Sequence, residues 1–310
     1  MTEFETEGRG CPSASLGCQQ LRQAMESGRI LENRARAFDA QKQLRFRFAD
    51  CEGVMPYEEC ADGIREGTVR PIAVLTRVGR QVCFVVTGFT EGPSGPVALL
   101  SRARAQRACR EQYLSRLVPG DIIPCTVTHI EPFGAFCDVG CGIAALLPID
   151  CLSVSRIASP ADRVRPGQQL RCAVRAIDRQ GRLVLTLREL LGTWQQNADL
   201  FAPGETVMGI VRSVEEYGVF VELAPNLAGL AEPGSRLLSP GQVVSVYIKN
   251  ILPDKMKIKL VILSALQESY FIPLRYFITE GRLDHWVYST PGARRLIETR
   301  FDQPLANCPL

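Results

Sequence analysis

Short runs of alternating apolar and polar residues dominate residues 119–194. One run carries Ile123, Cys125 and Val127, and a second covers residues 135–139 after a tight turn. Side chains of a β-strand point alternately to its two faces, so each run predicts a strand with one buried face. The segment therefore predicts a small β-domain whose strands have one apolar and one polar face.

The polar faces of these strands carry aromatic rings and cations. If Ala135 and Cys137 are buried, alternation turns Phe136 and Asp138 outward, and Phe133 lies at the preceding turn. Later strands carry Arg171, Arg175 and Arg182 opposite apolar positions. Single-stranded nucleic acid binds where bases stack on rings and phosphates meet cations. The pattern favours such a surface over a purely structural sheet.

The same pattern recurs in residues 201–263, which indicates duplicated domains. At a spacing of 84 residues, Phe133 corresponds to Tyr217 and Phe136 to Phe220. After a shorter loop the spacing becomes 74, and Arg175 corresponds to Lys249. Core positions change among apolar types, whereas the outer positions keep a pair of rings and a cation. Such internal repetition is typical of a repeated structural unit.

The central segment resembles the S1 RNA-binding domain, a five-stranded OB-type barrel named for the messenger-binding protein of the small ribosomal subunit. The residues that carry the resemblance are Gly120, the FGAF run at 133–136, Gly140, Gly167, Gln168, Ile177, Asp178, and the run Arg182, Leu183, Val184, Leu185. The resemblance implies an RNA surface built from Phe133, Phe136, Asp178 and Arg182. The family's histidine position holds Pro148 here.

In the second repeat, the resemblance places Lys257 at the arginine position and Glu232 at the histidine position. The RNA-binding residues predicted for the whole chain are therefore Phe133, Phe136, Asp178, Arg182, Arg171, Arg175, Tyr217, Phe220, Lys249 and Lys257. Across its length the chain looks like the tandem S1-domain proteins of Gram-positive bacteria.

The predicted fold is mainly β, with tandem five-stranded OB-type barrels joined by short helices and a small mixed C-terminal extension. The expected boundaries are a flexible tail at 1–18, a diverged S1-like β domain at 19–100, a linker helix at 101–117, an S1 domain at 118–191, a linker at 192–200, an S1 domain at 201–263 and the extension at 264–310. Within the extension, Trp286 and Tyr288 are expected to pack, and residues 291–301 to form a helix.

Composition narrows the functional classes. The net charge of the 310 residues is only +3, but eight Arg face two Asp between residues 155 and 188. No apolar run approaches the roughly 18 residues of a membrane span, and no export signal is visible, so a cytoplasmic site is expected. Twelve Cys accompany two His without a CxxC pair, which disfavours a zinc site. Cys137 and Cys172 are expected to be buried apolar residues.

The predicted function is binding of single-stranded RNA, including messenger RNA, without catalysis. The sequence contains no P-loop, HExxH or GxSxG motif, so we expect no catalytic residues, cofactor, metal or small-molecule substrate. The resemblance further implies translation as the setting and the 30S ribosomal subunit as a partner. The alternative is a protein-interaction scaffold that docks on ribosomal or transcription proteins, because OB barrels also bind proteins.

Overall fold

The computed structural model describes residues 4–10, 13–93, 95–233 and 237–302. The chain forms two compact units. The first consists of Met1–Leu117 with Asp138–Ala144, and the second of Val118–Cys137 with Ala145–Leu310.

The first unit contains a six-stranded sheet whose connections match those of an OB barrel. Its strands are β1 (Leu31–Arg34), β2 (Ala37–Phe38), β3 (Gln43–Arg47), β4 (Glu52–Pro56), β5 (Gln81–Gly92) and β6 (Gly95–Ser101). They lie in the order β1-β5-β6-β4-β3-β2, with β4 and β6 parallel. Strands β1 and β2 together occupy the place of one barrel strand, because β1 pairs with β5 and β2 with β3. Alternation buries Leu44 and Phe46.

Three helices accompany this sheet: α1 (Cys18–Ser27), α2 (Ile72–Leu75) and α3 (Arg102–Gln112). Helix α1 ends at Gly28, whose φ of 65° suits a residue without a Cβ. Helix α3 begins after Ser101, whose hydroxyl accepts a hydrogen bond from the Arg104 backbone N–H. It buries Ala105 and Cys109. The segment predicted to be a linker helix is thus a packed element of the first unit.

The N-terminal segment packs into the first unit, although the sequence predicted a flexible tail. Phe4 is buried, and the Glu7 carboxylate accepts from Arg102 Nε at 2.6 Å and from Arg77 at 3.0 Å. Burial raises the pKa of Glu7, but the two guanidinium groups outweigh it and hold that pKa below its ordinary value. Asp138, predicted to point outward, is also buried, and it accepts a hydrogen bond from the Glu7 backbone N–H.

The second unit contains two closed five-stranded barrels, as the sequence predicted. The strands of the first barrel are β7 (Ile122–Glu131), β8 (Gly134–Asp138), β9 (Ala144–Pro148), β10 (Gln169–Ile177) and β11 (Leu183–Thr186). Those of the second are β12 (Thr206–Glu215), β13 (Gly218–Ala224), β14 (Leu227–Ala231), β15 (Val243–Leu252) and β16 (Lys257–Leu266). In each barrel the third and fifth strands are parallel. Cys137 and Cys172 are fully buried, which confirms their predicted role.

The C-terminal extension packs against both barrels. Trp286 and Tyr288 are buried in the core of the second barrel, as predicted, together with Trp194 from the short helix α4 (Trp194–Ala198). Phe301 packs with Ala173 and Leu190 beside the first barrel. The predicted helix at 291–301 is wrong. Strand β18 (Glu298–Arg300) instead pairs antiparallel with β17 (His285–Val287). This pairing satisfies the backbone N–H and C=O groups with a partner strand, which helix propensity does not take into account.

A buried ion pair joins the two barrels. Arg163, in the β9–β10 connection of the first barrel, donates to the Glu222 carboxylate on β13 of the second, and both side chains are fully buried. Arg212 contacts the same carboxylate at 2.5 Å. Nearby, the Asn226 amide oxygen accepts from the Val154 backbone N–H at 2.9 Å. Burial lowers the pKa of Arg163, and the charge and hydrogen bond of Glu222 oppose that shift.

We expect Glu222→Leu to lower the free energy of unfolding of the second unit by about 3–5 kcal/mol, because it leaves the Arg163 charge buried without a partner. Both Trp residues of the chain lie in this unit, so urea denaturation followed by Trp fluorescence reports on it directly. The double variant Glu222→Leu, Arg163→Met should recover most of the loss.

The exposed Arg282–Asp284 pair provides the control for this prediction, since its side chains are 54% and 87% exposed. Asp284→Leu should change the free energy of unfolding by less than about 1 kcal/mol. Equal losses in Glu222→Leu and in the double variant would show that charge coupling does not hold the barrels together.

Candidate nucleic-acid interface

The turn between β7 and β8 displays the predicted aromatic pair on the outside of the first barrel. Phe133 is 56% exposed and Phe136 is half-buried. Their ring centroids lie 6.0 Å apart, and the ring planes are nearly perpendicular at 87°. A Cβ on Gly134 would lie 2.6 Å from the Leu147 carbonyl oxygen of β9, so only glycine fits at this position. The glycine of the FGAF run therefore allows the turn that carries the aromatic pair to approach β9 closely.

His129 is a site residue that the sequence reasoning missed. Its ring stacks on Phe136, with centroids 4.7 Å apart and an interplanar angle of 10°. Strict alternation from Val127 would turn His129 into the core. In the second barrel, the equivalent strand has a bulge between Val211 and Ser213 that changes which face its residues occupy. Burial along β7 likewise stops alternating after Val127, so that His129 is exposed, and Ser213 at the 84-residue spacing provides a signal for this change.

The second barrel repeats the aromatic pair with the same geometry. Tyr217 is 66% exposed, Phe220 is half-buried, and their rings lie 6.1 Å apart at 87°. Leu230 pairs opposite Phe220, and Lys259 opposite Leu230, so these three side chains form one row on the outer face. Lys259 is exposed. The sequence reasoning did not select this lysine, whose equivalent in the first barrel is the buried Val184.

Three of the predicted polar residues lie at strand ends, and a fourth lies at a bulge inside a strand. Asp178 and Arg182 close the β10–β11 hairpin, where Arg182 Nε donates to the Asp178 carboxylate at 2.6 Å. Desolvation raises the pKa of Asp178, but the hydrogen bonds from Arg182 outweigh it and hold that pKa below its ordinary value. In the second barrel, Lys257 is exposed at the start of β16, two residues from Lys259, and Lys249 is exposed at a bulge in β15.

Arg171 and Arg175 lie beside the C-terminal extension rather than beside the rings. The Arg171 backbone N–H donates to the Tyr276 hydroxyl, and the Arg175 guanidinium donates to the Arg300 carbonyl and lies over the Phe301 ring. Arg171 pairs with Pro124, five residues along β7 from His129, a distance of about 16 Å in a strand. The strand register therefore separates these two arginines from the aromatic pair.

Over the described parts of the chain, no group of three or more His, Cys, Asp or Glu side chains could hold a metal ion. The ten cysteines within those parts carry thiols rather than disulfides. None of the helices the structure describes is long and apolar enough to cross a membrane.

Comparison with known proteins gives matches to part of the chain. Residues 117–188 match the S1 RNA binding domain. The chain is 31% identical over 96 residues to the small ribosomal subunit protein bS1 of Synechococcus sp., covering 30% of this chain and 31% of that protein. It is 35% identical over 89 residues to the bS1 homolog of Bacillus subtilis, covering 28% and 23%. A polyribonucleotide nucleotidyltransferase of Prochlorococcus marinus is 38% identical over 88 residues, covering 28% and 12%.

The chain thus spans less than a third of the length of these curated relatives. Among solved structures, it is similar to a multidomain protein with nucleic acid binding domains from Streptococcus pneumoniae, with 16% identity over 76% of this chain and 73% of that one and a TM-score of 0.26. The first closed barrel carries the residues of the family match, and its strands follow the predicted OB-type order. The match to the S1 RNA binding domain therefore coincides with the first closed barrel.

Proposed function

We propose that this protein binds single-stranded RNA on the outer faces of its two barrels and does so without catalysis. The observation that carries the proposal is the repeated aromatic pair. Phe133 with Phe136, and Tyr217 with Phe220, have the same ring separation and the same perpendicular angle on two separate barrels. Rings left in water do not stabilise a core, whereas each can stack against a base.

The proposed interface of the first barrel combines its aromatic pair with His129 and the Asp178–Arg182 pair. His129 extends the surface of Phe136 by parallel stacking, and Arg182 is 57% exposed, so its guanidinium can meet a phosphate. Asp178 orients Arg182 by accepting from both its Nε and its backbone N–H. The Asp178–Arg182 pair carries no net charge, so we assign Asp178 the role of positioning Arg182.

In the proposed interface of the second barrel, the cations are lysines rather than the arginine of the first barrel. Lys257 and Lys259 lie two residues apart on one face of β16, and Lys259 lies in the row that contains Phe220. A lysine reads phosphate as a point charge and gives little base preference. We therefore expect weak sequence preference.

Both barrels belong to one compact unit, which supports cooperation between them. Stacking contributes about 1–3 kcal/mol per base, so one aromatic pair alone gives modest affinity. Once one barrel holds the strand, the second meets it at a high effective concentration. The buried Arg163–Glu222 pair supports this cooperation, because it holds one barrel against the other. A flexible connection would lower the effective concentration and with it the affinity.

The names of the bS1 relatives extend the proposal to translation. Those proteins belong to the small ribosomal subunit, and we propose messenger RNA as the ligand and the 30S subunit in the cytoplasm as the setting. An enzyme also occurs among the relatives, but the match covers only 12% of it.

The first prediction concerns the choice of RNA. The wild-type chain should bind a single-stranded oligomer more tightly than a duplex of the same length, with affinity falling as salt rises. Phe133→Ala with Phe220→Ala should lower single-strand affinity by at least tenfold, because each substitution removes a stacking surface. Fluorescence anisotropy over a salt series measures both effects.

The control is Phe133→Tyr with Phe220→Tyr, which keeps both rings and should retain affinity. Equal and weak binding to both forms of RNA, unchanged by the alanine variant, would refute the proposal. Capture of ribosomal or transcription proteins that survives nuclease treatment, without binding of purified RNA, would favour the scaffold alternative.

The second prediction concerns His129. His129→Ala should weaken single-strand binding roughly three- to tenfold, because the ring supports Phe136 with a contact worth about 0.5–1.5 kcal/mol. His129→Phe should retain affinity, since stacking rather than charge is proposed. Anisotropy titration with the same oligomer provides the measurement.

Ser213→Ala changes the equivalent position of the second barrel and serves as the matched control, with no expected loss. If His129→Phe bound as weakly as His129→Ala, stacking would not be the role of this residue.

A further inference from the structure

A groove of about 370 Å³ lies between the first barrel and the C-terminal extension. Residues 149–157 form one side, and Arg295 and Ile297 of the extension form the other. Ligand sites for small molecules have volumes of roughly 300–1,000 Å³, so the groove has room for one nucleotide. The groove is a distinct feature from the aromatic pair, since neither ring lines it.

One end of this groove adjoins the first aromatic pair. The Ile149 backbone N–H, in the groove wall, donates to the Phe133 carbonyl oxygen at 2.9 Å. Further along the wall, the Ser155 backbone N–H donates to the Pro225 carbonyl at 3.2 Å. The groove therefore leads from the aromatic turn of the first barrel to the junction with the second.

The charges along the groove favour an anion. Arg156 and Arg295 are exposed, and among the residues that the structure describes neither side chain has an ion pair or a hydrogen bond. Arg188 is different, since its Nε contacts the buried Glu189 carboxylate at 3.1 Å. Asp150 is the one acidic residue in the described lining. Two guanidinium groups thus remain available against one carboxylate, and a guanidinium matches phosphate with paired N–H donors.

Apart from Ser153 and Ser155, the rest of the lining is apolar. Ile149, Val154, Ile157 and Ile297 provide hydrocarbon surface between the arginines. A nucleotide combines a flat apolar base with a charged phosphate, and proteins that bind single-stranded RNA offer both kinds of surface together. A free inorganic anion would use the arginines but not the apolar walls. The composition of the groove therefore fits a nucleotide better than a simple ion.

We propose that this groove is an additional RNA subsite, in which Arg156 and Arg295 bind a phosphate further along the strand whose bases stack on Phe133 and Phe136. The inference rests on the proposed function and deepens it. It also gives the C-terminal extension a direct part in binding, beyond packing against the barrels.

The test compares neighbouring arginines of the full-length chain. Arg295 lines the groove, whereas Arg294 is exposed but does not line it. Arg156→Gln with Arg295→Gln should weaken binding of a single-stranded oligouridine of about 12 nucleotides roughly tenfold. The slope of log affinity against log salt should decrease in magnitude by about 0.7 for each phosphate that the variant no longer binds. Arg294→Gln, with the same change in charge, should bind like the wild type.

The lysine variants Arg156→Lys and Arg295→Lys keep the charge and should preserve the salt slope. The proposal is overturned if Arg295→Gln behaves like Arg294→Gln while Phe133→Ala with Phe220→Ala still loses affinity; RNA binding itself would then stand. Absence of single-strand binding by the wild-type chain would overturn both proposals, and the first titration shows which case holds.

Discussion

The arrangement of the second unit depends on one buried charge interaction between its barrels. The Arg163 side chain extends from the first barrel and contacts the Glu222 carboxylate of the second, which Arg212 also contacts. A charge removed from water is costly unless a partner with good geometry accompanies it. The two barrels must therefore come together in a narrow range of orientations for either charge to be tolerated. The C-terminal extension adds hydrophobic contacts to both barrels around this junction.

This constraint bears directly on the outer faces. Glu222 lies two residues after Phe220 on the same side of β13, so the contact between the barrels adjoins the second aromatic pair. The groove at residues 149–157 adjoins the first pair and reaches the same junction. Rings, lysines and arginines consequently occupy neighbouring parts of one unit. Under the proposed function, a flexible strand of RNA contacts several such weak sites together, and linkage between them adds to its affinity.

The first unit uses the same strand connections but lacks the aromatic turn. Its first barrel strand is interrupted between β1 and β2. The N-terminal segment packs onto this unit through Glu7, whose carboxylate contacts Arg102 and Arg77. A fold can thus persist while the residues on its surface change, which is why the proposed RNA sites are assigned from side chains rather than from topology.

The sequence alone determined the two barrels and their aromatic pairs. Alternation within each strand and the 84-residue repeat can both be recognised without knowing which segments meet in space. Tertiary structure decided the positions that depend on bulges and distant partners. The loss of alternation in β7 exposes His129, and strand register brings Lys259 into the row that contains Phe220 and carries Arg171 away from the rings. Ion pairs with Arg102 and Arg77 hold Glu7, and backbone N–H donors, one of them that of Glu7, hold the buried Asp138. Such contacts depend on which segments meet in space, and no periodicity within a single strand encodes that choice.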